Sequence, residues 1–224
     1  MKSPILLTML SFFGAYYFVS NPRIESSHFE SNAPYVFAAN VLTLDDFKPA
    51  KLDRANPEVI QSIKAAAAGI WDGTSPYLAK APDMQAIAHG AFDSLETFQQ
   101  FHQNWVNVET GGNFNLGHTN ISHQHDGTPE HNFGIYQINE RWGLNNSEGS
   151  WGRNSNPWRL TSDDVLYNVE ANANIAWNHL IAMTRSPDYK KDFWSALDIY
   201  WHGESSNNAY SMGVRAGNII YYSE

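Results

Sequence analysis

Apolar side chains recur at helical spacing along several stretches of this chain, separated by segments rich in Gly, Asn and Pro. The first stretch opens at Asn56-Pro57-Glu58, where Asn suits an N-cap and Pro the first turn. It carries Val59, Ile60, Ile63 and the alanines 65 to 68, and predicts a helix ending near Gly69. After the turn cluster Asp72-Gly73-Thr74-Ser75-Pro76, a weaker helix is predicted over Met84 to Ala88. From Asp93 the pattern sharpens. Asp93-Ser94-Leu95-Glu96 reads as a capping box, and Leu95, Phe98, Phe101, Trp105 and Val108 then mark one helix face that should be buried. Gly111-Gly112 stops that helix, and Glu109 lies at the end of its apolar stripe.

The polar stretch from Asn113 to His131 reads as a loop or small antiparallel hairpin. Phe133 to Ile138 follows as a strand-like apolar run or the start of a helix. Asn145 to Pro157 is a second loop. A long helix is predicted from Ser162-Asp163-Asp164 through Val165, Leu166, Val169, Ala173, Ala176, Trp177, Leu180 and Ile181. Another should span Asp192 to His202, and a last one Ala209 to Tyr222, weakened by Gly213 and Gly217. The expected class is mainly α, with a small β-hairpin region.

The N-terminus adds a targeting signal. Lys2 precedes an apolar run from Ile5 to Val19, shorter than a spanning helix usually needs and shaped like a secretory signal. Residues 1–20 are therefore read as a signal peptide or N-terminal membrane anchor, and export is expected. The Ser-rich segment from Asn21 to Asn40, interrupted by Pro22 and Pro34, reads as a linker into an N-terminal helical region that extends to residue 92. Net charge is −9 with no basic run, which argues against nucleic acid as a partner. The chain has no Cys, which excludes disulfide staples, thiolate metal sites and a Cys nucleophile. Aromatics are abundant, with eight Trp, 11 Tyr and 12 Phe; some belong to the core, and flat aromatic faces also suit the sugar rings of a carbohydrate cleft.

Glu109 is the first candidate for chemistry. Splitting a glycosidic bond requires a proton on the leaving oxygen, and a carboxylic acid supplies it best when an apolar setting raises its pKa. An ordinary helix-end Glu in a surface ion pair is the competing reading. Hydrolysis usually uses a second carboxylate. Asp126, Glu130 and Glu140 are available, but none has a sequence reason to face Glu109. A single acid suffices if the substrate supplies its own nucleophile, such as an N-acetyl group or the 6-hydroxyl of N-acetylmuramic acid.

Four landmarks then carry a resemblance. Glu109-Thr110 followed by Asn113-Phe114-Asn115 is similar to a Glu-Ser-x-Phe-Asn motif. Gly134-Ile135-Tyr136-Gln137-Ile138-Asn139 is similar to Gly-Leu-Met-Gln-Ile-Asn. Asn168 to Ile175 resembles the helix that follows it. Tyr200-Trp201-His202-Gly203, with Tyr210 to Val214 after it, resembles Tyr-Asn-x-Gly and Tyr-x-x-x-Val. In this order they resemble the lytic transglycosylase domain of the lysozyme-like superfamily, over residues 93–224. The resemblance implies an α+β lysozyme-like catalytic domain with a cleft between lobes. It implies cleavage of the peptidoglycan strand between N-acetylmuramic acid and N-acetylglucosamine, with Glu109 as acid and then base and a 1,6-anhydro product. It also implies that Gln137 binds sugar or acetamido groups, that Tyr136 lines the cleft, that Asn168 supports its floor and that Tyr200 orients Glu109. Trp142 would stack on a sugar. No cofactor is implied. The partners and setting would be the cell envelope or periplasm, a secretion machine, or a phage virion.

The chain departs from that pattern at Trp201, where the motif has Asn, and at Asn172, where the helix has Gly. Asn132 stands where animal-type lysozymes carry an Asp, which favours the transglycosylase over a hydrolysing muramidase. His118, His123, His125 and His131 fall in one loop with Asp126 and Glu130, a composition able to hold a structural divalent metal or simply to form a solvated cleft edge. Two readings of other classes stay open: a non-catalytic glycan-binding module, and an envelope protein organised by metal at the His loop.

Overall fold

The computed structural model describes residues 41–52, 54–123, 127–145, 155–185, 193–194, 197 and 209–218. The signal or anchor and the linker lie outside these residues, as do His125, Asp126 and Tyr200. The described part is mostly helical with one small antiparallel sheet, in agreement with the expected class. Among the described residues no helix is long and apolar enough to cross a membrane.

Helix α1 spans Pro57–Trp71, α2 Asp83–Ala91 and α3 Leu95–Glu109. Asn56 caps α1 by accepting from the Glu58 N–H at 2.9 Å. This helix runs past Gly69, where the sequence suggested a stop. Gly69 lies within the helix, and its carbonyl accepts from the N–H groups of Thr74 and Ser75, which fold back over the last turn. The cap of α3 is Ser94, which accepts from Thr97 N–H, while Asp93 takes the Thr97 hydroxyl at 2.5 Å. The helix thus begins one residue later than the capping-box reading placed it, and Glu96 sits in its first turn.

Helix α3 is the central element. α1 packs on it, as does the C-terminal helix α6 (Ala209–Ala216), and α1 also packs on α5 (Val169–Arg185). The N-terminal helical region, from Leu42 to Ala91, shares one core with α3. Phe92, Phe98, Phe101, Trp177 and Phe193 fill that core, with neighbouring ring centroids 5.0 to 6.3 Å apart. Leu42 is zipped to the α2–α3 link by Leu42 N–H to Ala91 O and Asp93 N–H to Leu42 O, each 2.8 Å.

Two further boundaries differ from expectation. The single long helix from Ser162 is two: α4, Ser162–Leu166, and α5. Asn168 separates them, its side chain accepting from Ala171 N–H at 3.0 Å, because an Asx side chain caps a new helix better than it continues an old one. The apolar run after Phe133 is neither strand nor helix throughout. Strands β1 (Thr119–His123) and β2 (Pro129–Phe133) form the hairpin, a turn covers Gly134 to Gln137, and β3 is Ile138–Asn139. Asn132 pairs with Asn120 on one side and Asn139 on the other. A wide helical turn, Glu140–Leu144, follows.

Candidate active site

Glu109 closes α3 because Gly111 and Gly112 take up positive φ, 60° and 80°, which the next residues need in order to leave the helix. Phe114, buried beneath this exit, anchors it to the core. The carboxyl of Glu109 faces inward. The Tyr210 hydroxyl, from α6, donates to Oε1, and the Trp105 indole, one turn earlier on α3, interacts with the same group. Burial raises the Glu109 pKa to about 8, against the smaller opposing effects of Tyr210 and Trp105. This shift favours the protonated acid at neutral pH, although the residue is half-buried rather than sealed from solvent. No charged group among the described residues contributes to the shift.

Behind Trp105 stands Tyr136, 5.2 Å between ring centroids and edge-on. Tyr136 is wholly buried, so it forms the inner wall and does not present its ring to solvent as a cleft-lining residue would. Its hydroxyl bonds His102 Nδ1 at 2.7 Å. Burial alone drives the His102 pKa down to about 3, which keeps the imidazole neutral, and its Nε2 has no hydrogen-bond partner among the described residues.

The turn bearing Gln137 is held from α5. The side-chain oxygen of Asn172 accepts from Tyr136 N–H at 2.8 Å, and its amide donates to Phe133 O at 3.2 Å. A Cβ at Gly134, φ 74°, would collide with that same amide, so the Gly and the Asn are complementary. Asn172 thus has a defined job where the resembled helix carries Gly. Gln137 adopts φ 49°, uncommon for a residue with a side chain. Its Nε2 donates to Gly134 O at 2.6 Å, while Oε1 is buried without a partner among the described residues. An acceptor left unpaired in this way costs free energy, and it reaches a ligand N–H only when the side chain turns outward.

Asn168 is an exposed helix cap. Trp142 lies in the Glu140–Leu144 turn, and Tyr200 lies outside the described residues. Among the described residues, Tyr210 is the tyrosine that bonds Glu109. Its only sequence signal was the weak Tyr210–Val214 landmark. Glu130 accepts from Asn139 Nδ2 at 3.1 Å, and so does Asn132. His131 is exposed on β2, and His118 precedes β1. The side chain of His123 and the whole of His125 are outside the described residues, among which no set of three His, Asp or Glu could hold a metal ion. An open depression of about 100 Å³ lies between β2 and the wide turn, lined in part by Glu130, His131, Glu140 and Arg141.

Comparison with known proteins yields no matching family model, curated protein or solved structure.

Proposed function

We propose that this chain is a peptidoglycan lytic transglycosylase. The observation that carries the reading is Glu109, a half-buried carboxylic acid whose pKa is raised to about 8 by desolvation, with a phenol directed at the oxygen that must later bear charge. A protonated acid can give its proton to the oxygen of the β-1,4 bond as the C1–O bond of N-acetylmuramic acid breaks. The carboxylate so formed then accepts the proton of the muramyl 6-hydroxyl while O6 closes onto C1. The products are a free N-acetylglucosamine hydroxyl and a 1,6-anhydro ring, and no water is consumed. Tyr210 stabilises the carboxylate between the two steps, since a hydrogen bond to a charged acceptor is stronger than one to a neutral acceptor.

Two further observations support a single-acid route on an acetamido sugar. Asn132 is an amide where a hydrolysing lysozyme has a carboxylate, and it is engaged by Asn139. Gln137 is half-buried with an Oε1 that lacks a partner among the described residues, so turning that amide outward would present an acceptor to the N–H that an N-acetyl substituent carries. Residues 93–224 would form the cleft between lobes, with export directed by residues 1–20.

The test is mass spectrometry of fragments released from peptidoglycan by the protein and by its Glu109→Gln variant. Anhydro-muramyl ends that disappear in the variant are expected. Reducing ends would assign a muramidase and turn attention to Asp126, Glu130 and Glu140. Unchanged binding with no release by either protein would make this a glycan-binding module.

A further inference from the structure

Asn104 lies on α3 five residues before Glu109 and is completely enclosed. Its amide nitrogen donates to Val214 O at 2.7 Å and to Lys48 O at 2.8 Å. Its oxygen accepts from Ala50 N–H at 3.2 Å and from Gln100 Nε2 at 2.7 Å. Two donors and two lone pairs are the whole capacity of an amide, so this side chain is saturated. Its partners come from separate parts of the chain: the extended segment Lys48–Ala50, α3 itself, and α6. The two outer parts also bond each other, Lys48 N–H to Arg215 O at 2.7 Å. One turn along α3, Asn107 repeats the device by donating to Gly217 O at 3.2 Å. Gly217, φ 61°, is pressed so closely on the strap that an added Cβ would stand 2.5 Å from Lys48 O.

Val214 and Tyr210 are four residues apart on α6 and share a face of that helix. The carbonyl that Asn104 grips is thus one turn from the phenol that meets Glu109. We propose that Asn104 is a positioning residue that fixes the Tyr210 helix against the Glu109 helix, and that the Lys48–Ala50 strap is clamped into the same junction as part of the site. The inference rests on the reading of Glu109 as the acid, but its test does not require turnover.

The experiment is a titration of the Glu109 carboxyl carbon by NMR in protein labelled at Glu, with the pH–rate profile recorded beside it. Burial is the largest influence on Glu109, so loosening the junction should admit water and move its titration down from about 8 by at least one pH unit in Asn104→Ala. Tyr210→Phe keeps the packing and removes a bond to the charged form, so it should move the titration up. Opposite directions from the two variants distinguish positioning from direct contact. Asn104→Ser is the milder substitution should Asn104→Ala fail to fold, with a smaller downward shift. Ser75→Ala, which removes a buried 2.9 Å bond to Asn174 elsewhere in the core, serves as the stability control and should leave the titration in place. A folded Asn104 variant with Glu109 titrating as in the parent, or a shift equal to that of Ser75→Ala, would overturn the proposal. A shifted titration in a protein that releases no glycan would retain the positioning role and refute the enzymatic reading instead.

Discussion

Tyr210 and Glu109, 101 residues apart in the chain, meet through a hydrogen bond from the phenol to Oε1. Burial and this bond act on the carboxyl in opposite senses, burial favouring the neutral acid and the phenol the carboxylate. The balance leaves the group an acid at neutral pH that can still ionise near pH 8, which is what a residue acting first as acid and then as base requires.

Activity should therefore fall on the alkaline side as Glu109 loses its proton, with a limb in kcat/KM near pH 8. Glu109→Gln should lower kcat by about 10²–10⁴-fold, the usual contribution of a positioned proton donor. Tyr210→Phe should shift the alkaline limb upward and lower kcat more than it raises KM. A pH–rate series on purified glycan strands checks all three.

The same burial costs stability. The folded pKa of Glu109 is about 8 against an ordinary 4.5, so between these values the native state holds a proton that the unfolded chain has lost. Stability from this group is fully present below about pH 4.5 and is lost as pH rises through 8. Glu109→Gln cannot ionise, so it should be more stable than the parent at pH 8.5 and close to it at pH 4.5. Urea midpoints at the two pH values measure the difference.

Two buried histidines act in the opposite direction. His102 is held down to about 3 and His179 to about 4, both by burial. Below the ordinary value of 6.5 the unfolded chain gains protons that these rings refuse, so their contribution is present above that value and is lost as pH falls toward 3 to 4. His102→Phe should fit among Phe98, Phe101 and Trp177 but deprive Tyr136 of the 2.7 Å bond to the imidazole. The variant should be less stable than the parent at pH 7.5, with the gap closing or reversing by pH 4.5. Thermal unfolding across that range tests the crossing.

Asn172→Ala should destabilise the protein by about 1–3 kcal/mol, because the buried Tyr136 N–H loses its acceptor. Gly134→Ala should cost a similar amount or more, since it meets both a positive φ and the Asn172 side chain. The double substitution should cost less than the sum, as removing the amide clears the collision. A double-mutant cycle in denaturant reads the coupling.

Local signals were enough to locate the helices and Glu109. Capping chemistry at Asn56, the apolar stripe from Phe98 to Trp105 and the glycine pair after Thr110 act over a few residues, and the chain around them obeys them. Those signals misplaced elements where a short-range preference had two outcomes. Asn168 could continue a helix or cap a new one, and Gly69 could end a helix or sit inside it. The cap on Ala171 N–H accompanies the new helix after Asn168, and the bonds from Thr74 and Ser75 to the Gly69 carbonyl accompany the place of Gly69 inside α1.

The stripe on α3 marks one buried face, yet Gln103, Asn104 and Asn107 on the other side are buried as well. Periodicity reads polarity as exposure. Asn104 and Asn107 are enclosed because α6, the residue after it and the Lys48–Ala50 strap supply carbonyls and an N–H that replace water, while Gln103 bonds back to Gln99 O in its own helix. The sequence by itself determined that an acid ends an apolar helix. Whether that acid would be charged depended on the residues closing over it, and the phenol among them comes from the far end of the described chain. Desolvation and hydrogen bonding act through space, so only the tertiary structure could decide the protonation of Glu109.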